Sequence, residues 1–152
     1  MRIGIAADHA GQTLKASIEK HLRAKGFDVR AYGPEADPDD DYPVIARALG
    51  EAIQRGEVER GVFCCGSGIG PAVALNKMAG VRAAVVDNEW SARDAVTHVD
   101  VNVITLGERV IGDELAKSVV DAFLSAKPEG GRHARRREQI SDLERAISGR
   151  GV

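Results

Sequence analysis

The sequence predicts an α/β fold layered around a parallel sheet. Strand-length apolar runs alternate with segments of helical period from one end of the chain to the other. Several strand candidates are followed by polar or glycine-bearing clusters, the arrangement in which parallel sheets collect ligands outside their carboxyl ends. The chain has 152 residues, enough for one domain with a full core.

Each element has its own signal. Arg2 to Ala7 is a short apolar strand that ends at Asp8-His9. Leu14, Ile18 and Leu22 then recur every four residues, one face of a helix, with Gly26 as its stop. Phe27 to Tyr32 reads as the second strand, and Gly33 to Asp41 as an acidic loop in which Asp39, Asp40 and Asp41 are solvated. Pro43 suits the first turn of a helix whose apolar stripe is Val44, Ile45, Ala48, Leu49, Ala52 and Ile53. Gly61 to Cys64 is the third strand, and a helix can start within Pro71 to Lys77. Arg82 to Val86 is the fourth strand. Ser91 and Asp94 have capping-box-like spacing for a short helix toward His98. Val101 to Leu106 is the fifth strand, followed by a helix marked by Leu115, Val119, Val120, Phe123 and Leu124. Lys127 to Arg132 is a connector with Pro128 and Gly130-Gly131. Ile140, Leu143 and Ile147 mark a last amphipathic helix, placed to pack on its own domain or on a partner subunit.

Composition excludes several function classes. Hydrophobic content of 43% and charged content of 29% are those of an ordinary globular protein. A net charge of −2 gives no overall attraction to nucleic acid or to a membrane surface. No apolar run approaches the ~20 residues that span a bilayer. Met1-Arg2-Ile3-Gly4 leads straight into a strand rather than a secretory signal, and the two cysteines are adjacent, so a reducing, cytoplasmic setting is expected.

The most telling segment is Cys64-Cys65-Gly66-Ser67-Gly68-Ile69-Gly70, where a strand hands over to a helix. Backbone N–H groups converge at such a turn and favour negative charge, and a thiol there is expected to ionise more easily. Cys64 falls inside the strand and reads as a small buried hydrophobe; Cys65 lies at its end and is the candidate for chemistry. Ser67 either caps the helix or takes part in that chemistry. The spacing matches neither a Walker loop nor the dinucleotide fingerprint, and no arginine stands six residues after either cysteine, as a cysteine phosphatase requires. Four histidines and two adjacent cysteines have no recurrent metal-ligand spacing, so no metal is expected.

Other candidates cluster after the strands: Asp8-His9, Asp87-Asn88 and Gly107-Glu108-Arg109, which with Cys65 to Gly70 would meet at one edge of the sheet. His98 sits near a helix end, in a structural or a chemical role; His21 reads as surface. Arg132, His133 and Arg136 form an anion candidate, because guanidinium groups fit phosphate in a two-pronged way; the alternative is a solvated basic face, to which Arg135 and Arg137 are assigned.

With these residues placed, the chain resembles the sugar-phosphate isomerases of the ribose-5-phosphate isomerase B type, a family that includes galactose-6-phosphate and allose-6-phosphate isomerases. The resemblance runs from Arg2 to about Ile147. It rests on Asp8-His9-Ala10-Gly11, Asp41-Tyr42-Pro43, Cys65 to Gly70, Asn76-Lys77, Gly80-Val81-Arg82-Ala83, Gly107-Glu108-Arg109-Val110 and Glu129-Gly130-Gly131-Arg132-His133. It implies a single domain over 1–152 with a three-layer α/β/α Rossmann-like fold and a five-stranded parallel sheet. Residues 127–152 would form a C-terminal extension whose helix packs on the partner of a homodimer, itself often paired into a tetramer. It implies aldose–ketose isomerisation without a cofactor. Cys65 would be the base, Ser67 and His98 would open the sugar ring, and Asp8 would bind or shuttle protons among the hydroxyls. Gly66, Gly68 and Gly70 would hold the enediolate oxygen, and His9, Arg132 and Arg136 the phosphate. His98 and Arg109 would reach in from the partner subunit. Val99 departs from the pattern, which commonly carries asparagine there, so it is expected to bear on which tetrose, pentose or hexose phosphate is used. Pro71 and Trp90 depart as well. Two other readings remain: a non-catalytic sugar-phosphate binder of the same fold, and a thiol redox protein using Cys64 and Cys65, although these lack the Cys-x-x-Cys spacing.

Overall fold

A computed structural model describes residues 1–33 and 41–148. The elements follow in the order β1 (Arg2–Ala7), α1 (Gln12–Ala24), β2 (Asp28–Tyr32), α2 (Tyr42–Gln54), β3 (Arg60–Cys65), α3 (Ile69–Leu75), β4 (Ala83–Val85), α4 (Glu89–Val99), β5 (Val103–Gly107), α5 (Asp113–Ser125) and α6 (Arg132–Ser148). A 3-10 turn at His9–Gly11 joins β1 to α1. The five strands are all parallel, in the order β2-β1-β3-β5-β4. The chain leaves β1 in one direction to β2 and returns on the other side to β3. The switch of direction therefore falls between β1 and β3, the crevice where open α/β sheets take ligands.

Both faces of the sheet are covered, giving the three-layer α/β/α arrangement that the resemblance implies. Alternate strand residues serve alternate layers. Ile3, Ile5, Val62, Cys64, Ile104 and Leu106 pack with α1, α4 and α5, while Ala6, Phe63, Cys65 and Val103 pack with α2 and α3. Period-two alternation thus sends the adjacent thiols of Cys64 and Cys65 to opposite faces. The central strands β1, β3 and β5 read as near-continuous apolar runs because both of their faces are covered.

Local signals place most boundaries, and packing moves the rest. Helix α3 starts at Ile69, so Pro71 occupies its first turn, where a missing N–H costs nothing. Helix α4 is capped by Asn88, whose side chain accepts the Ser91 N–H at 2.8 Å; Ser91 is inside the helix instead of capping it. The cap comes earlier because β4 ends at Val85 and the chain must turn at once. Val44 and Leu115, expected on buried stripes, are exposed at 68% and 43%; Ala46 and Ala116 fill the core instead. Asp41 precedes α2 and its carbonyl accepts the Val44 N–H, whereas Asp39 and Asp40 lie outside the described residues. No described helix is long and apolar enough to cross a membrane.

Helix α6 lies across the amino edge of the sheet. Its first turn stacks on α4 through His133 and His98, and farther along Glu144 accepts the Gly80 N–H. Its apolar residues Ile140, Leu143 and Ile147 remain exposed in the single chain.

Candidate active site

The site residues fall into two groups at opposite ends of the sheet. The first stands at the carboxyl edge, on the switch point. Strand β3 ends at Cys65, and the chain turns through Gly66, Ser67 and Gly68 into α3. Gly68 has φ +79°, a left-handed conformation open to glycine at little cost. The loop after β5 clamps this turn: the Glu108 N–H donates to the Cys65 carbonyl at 2.8 Å and the Arg109 N–H to that of Gly66 at 3.1 Å. Gly107 lies flush against Ser67, where a Cβ would come within 2.8–2.9 Å of the Ser67 backbone.

Side chains converge on the turn. Asp8 is buried at the end of β1 and accepts the Ala10 N–H at 3.0 Å. The Cys65 thiol hydrogen-bonds the Asp8 carboxylate, and the N–H groups of Ser67 and Gly68 reach its sulfur. Burial, then the Asp8 hydrogen bond, pushes the Cys65 thiol above its ordinary value, with the two N–H groups opposing. This corrects the expectation that the helix terminus makes the thiol more acidic: burial, reinforced by the carboxylate beside it, outweighs the turn. Burial first, then the Glu108 charge, drives Cys64 far higher, in keeping with an inert core residue. Ser67 does cap, its hydroxyl oxygen accepting the Ile69 N–H at 3.3 Å, and it remains exposed. His9 is exposed next to Asp8. The Arg109 guanidinium lies against Gly66, with Nη1 3.3 Å from a Cβ placed there; the Tyr42 ring stands as closely over Gly70. Asp87 and Asn88 use their polar groups on each other and on capping α4.

The second group stands at the amino edge. His98 lies in the last turn of α4, and the chain then turns through Asp100, in the left-handed conformation, toward β5. Arg82 ties this corner to the start of β4 through the Asp100 carboxylate at 2.7 Å, and Arg60 at the start of β3 donates to the Val101 carbonyl. The rings of His98 and His133 stack with centroids 3.9 Å apart and planes 8° from parallel. His98 Nδ1 is 2.7 Å from Asp94 Oδ1. His133 Nε2 accepts from Arg132 Nε at 3.3 Å. Burial, then the charges of His98 and Arg132, holds the His133 imidazole below its ordinary value, with Glu129 pulling the other way. Arg132 and Arg136 are exposed on the first turns of α6. Val99, the last residue of α4, is half-buried and packs against the core.

Strand β3 and helix α4 each span on the order of 15 Å. Cys65 and His98 therefore lie about that far apart within one chain. The structure brings Asp8, His9, Cys65, Ser67, the turn glycines and Arg109 together. It gathers His98, Val99, Arg132, His133 and Arg136 separately. Arg109, implied to come from a partner, sits on its own chain's turn because β5 pairs with β3 and carries the loop there. Arg137 is not a merely solvated charge: it donates to the His98 carbonyl at 3.3 Å and the Glu129 carbonyl at 2.8 Å, bracing the connector against α4. Sequence reading gave Asp94 only a capping role with Ser91, Tyr42 only a place in a motif, and Arg137 only a solvated surface. Only Asp94 carried a usable signal, its i,i+4 spacing from His98.

The ligand atoms of His98, Glu129 and His133 lie within 4.8 Å of one another. Face-to-face stacking keeps the two imidazoles from aiming in-plane lone pairs at one ion, and His133 Nε2 already accepts from Arg132, so this group does not fit a metal.

Comparison with known proteins agrees with this architecture. The family model described as Ribose/Galactose Isomerase matches residues 3–140. Ribose-5-phosphate isomerase B of Escherichia coli is 43% identical over 143 residues, covering 94% of this chain and 96% of its own. The D-erythrulose-4-phosphate isomerase of Pectobacterium atrosepticum is 40% identical, covering 95% of each. The structure of ribose-5-phosphate isomerase B from Mycoplasma genitalium with bound ribulose-5-phosphate is 40% identical and superposes with a TM-score of 0.89, covering 95% of this chain and 96% of its own.

Proposed function

The chain belongs to the ribose/galactose isomerase family, and from that premise we propose that it interconverts the aldose and ketose forms of a phosphorylated sugar, of the ribose 5-phosphate/ribulose 5-phosphate type, through an enediolate. The observation that carries this reading is the buried Cys65–Asp8 pair at the switch point, set on a turn of backbone N–H groups with the Arg109 guanidinium against it.

In this reading Asp8 receives the thiol proton, and the Cys65 thiolate removes the proton on C2 of the open-chain aldose. The C–H electron pair becomes the C1=C2 bond, and negative charge develops on O1. The N–H groups between Gly66 and Gly70, with Arg109 beside them, stabilise that oxygen; preorganised donors of this kind supply much of the rate of such reactions. The O2 hydroxyl proton passes to O1 by way of Asp8, and Cys65 returns its proton to C1. Protons move between side chains and sugar throughout, so the reaction draws on no cofactor. His9, Arg132 and Arg136 bind the phosphate, whose attachment energy orients the reacting carbons. Ser67 and His98 open the sugar ring.

Because the two groups of residues lie at opposite ends of one chain, the reading requires a homodimer. The Cys65 end of one copy meets the His98 end of the other, and α6 and its exposed apolar residues cover the partner. Co-expression of Cys65→Ala and His98→Gln chains, each inactive alone, tests this. A shared site restores up to about a quarter of wild-type activity, the statistical yield of mixed dimers with one intact site. A site contained in one chain restores none.

A second reading concerns the substrate. Val99 offers no hydrogen-bonding group where the family pattern carries an asparagine, and the D-erythrulose-4-phosphate isomerase is nearly as similar as the ribose 5-phosphate enzyme. A site lacking a polar partner gives up its preference for a hydroxyl there. A tetrose 4-phosphate turned over with higher kcat/KM than ribose 5-phosphate, and a preference reversed by Val99→Asn, would select this reading. Ligand-induced stabilisation without turnover of any sugar phosphate would select a binding protein instead.

A further inference from the structure

The amino-edge group contains a carboxylate that the proposed chemistry has not used. Asp94 and His98 are four residues apart on α4, and Asp94 Oδ1 is 2.7 Å from His98 Nδ1. We propose that Asp94 is a positioning residue for His98: by accepting the Nδ1–H it fixes the neutral imidazole in one tautomer and leaves Nε2 as the bare nitrogen that opens the sugar ring. This rests on the isomerase reading above.

Three observations support it. An ionised carboxylate is an acceptor only, so at 2.7 Å the proton belongs to His98 Nδ1. The tautomer of a histidine is set by the partner of its other nitrogen. The ring plane is fixed independently, because His98 stacks on His133 at 3.9 Å and 8°. His133 is itself buried, and burial first of all holds its imidazole below its ordinary value. A hydrogen bond on one edge and a stacked ring on one face leave His98 little freedom of orientation. Arg137 holds the corner from behind by donating to the His98 carbonyl.

The chemistry needs this tautomer. In a furanose phosphate the carbonyl is masked as a hemiacetal. The bare Nε2 takes the proton of the anomeric hydroxyl, and the C1–O4 bond breaks with its electron pair leaving on O4. A water molecule protonates O4, and the hydroxide so formed recovers its proton from the His98 imidazolium. With the opposite tautomer Nε2 would carry a hydrogen and could not begin this step. A correctly oriented base contributes about 10²–10⁴ in rate, and a carboxylate–histidine pair is a recurrent way to orient one.

The test separates this role from the function it rests on. Long-range proton–nitrogen NMR of the histidine rings at pH 8, with His98 assigned from a His98→Gln sample, reads the tautomer whether or not the protein turns over. Wild type is expected to show protonated Nδ1 and bare Nε2, and Asp94→Ala to move toward the Nε2–H form. Initial rates are then compared in both directions. Ribose 5-phosphate closes to a ring, whereas ribulose 5-phosphate cannot, because its O5 is esterified. Asp94→Ala is expected to lower kcat on ribose 5-phosphate at least about tenfold more than on ribulose 5-phosphate, a fraction of the general-base contribution, and Asp94→Glu to recover most of the loss. An unchanged His98 tautomer in Asp94→Ala, or equal losses in both directions, overturns the proposal. If wild type turns over neither sugar, the isomerase reading fails and the ring-opening role of Asp94 with it, even where the tautomer responds as expected.

Discussion

The two ends of the sheet solve the problem of placing reactive groups in different ways. At the carboxyl edge the groups are set by backbone. Cys65 ends a central strand, its turn is bonded to the loop after β5, and Gly107 abuts Ser67 with no room for a side chain. At the amino edge the groups are set by side chains on helices: an aspartate, two stacked imidazoles and an arginine reaching two carbonyls. At the first end the Cys65–Asp8 pair is buried, with His9 and Ser67 exposed beside it. The second is more exposed and carries the arginines of α6, which in the proposed reading grip the phosphate. A backbone-built site fails when a Cβ is added; a side-chain-built site fails by losing orientation first.

The largest expected effect isolates the first end. Cys65→Ala should lower kcat by about 10²–10⁴, the contribution of a general base, with the folded structure retained in circular dichroism. A loss below tenfold would remove Cys65 as the base. Next is Gly107→Ala, which forces a methyl group into the Ser67 backbone. Overpacking of this kind costs about 1–3 kcal/mol, or about 2–4 °C in Tm per kcal/mol for a chain this size. Activity should fall further than stability explains, because the turn moves. At the second end, Arg137→Ala removes two partly exposed hydrogen bonds and should cost about 1 kcal/mol by denaturant unfolding. It should leave Cys65 alkylation rates unchanged, which would show that the two ends are structurally independent within a chain.

Two pH effects are smaller and have opposite signs. Burial and Asp8 raise the Cys65 thiol, so a thiolate-dependent rate should still be climbing above the ordinary thiol range. Asp8→Asn removes the charge and should move that limb to lower pH, while reducing the maximum. His133 is shifted the other way. Its folded form binds a proton less tightly than the unfolded chain, so stability present above the ordinary imidazole range is lost as pH falls through it. Lowering pH from 7.5 to 5 should therefore reduce Tm more in wild type than in His133→Gln.

How much of this was legible in the sequence follows from the same contrast. Period-two and period-3.6 patterns located the strands and helices, and they separated a core Cys64 from a strand-end Cys65, because those signals are local. Asp8, Cys65 and Gly107-Glu108-Arg109 could be assigned to one edge, because every parallel strand delivers its following loop to the same side. The thiol's direction of shift was missed. It depends on how deeply Cys65 is buried and on a carboxylate 57 positions earlier in the chain, and neither is a local quantity. That Arg109 lies against Gly66 of its own chain was not legible, because the β3–β5 pairing that brings it there is a tertiary fact. Asp94 read as a capping partner of Ser91 and Arg137 as a solvated surface charge, because their contacts to His98 depend on packing.

By itself, then, the sequence determined the α/β class, the element order, the family and the residue types that carry the chemistry, since these follow from periodicity and from motifs short enough to read in one dimension. Only the tertiary structure decided which of those residues meet. The crossover helix α4 takes the chain from the carboxyl edge back to the amino edge, and so a parallel sheet separates Cys65 from His98 by its own length.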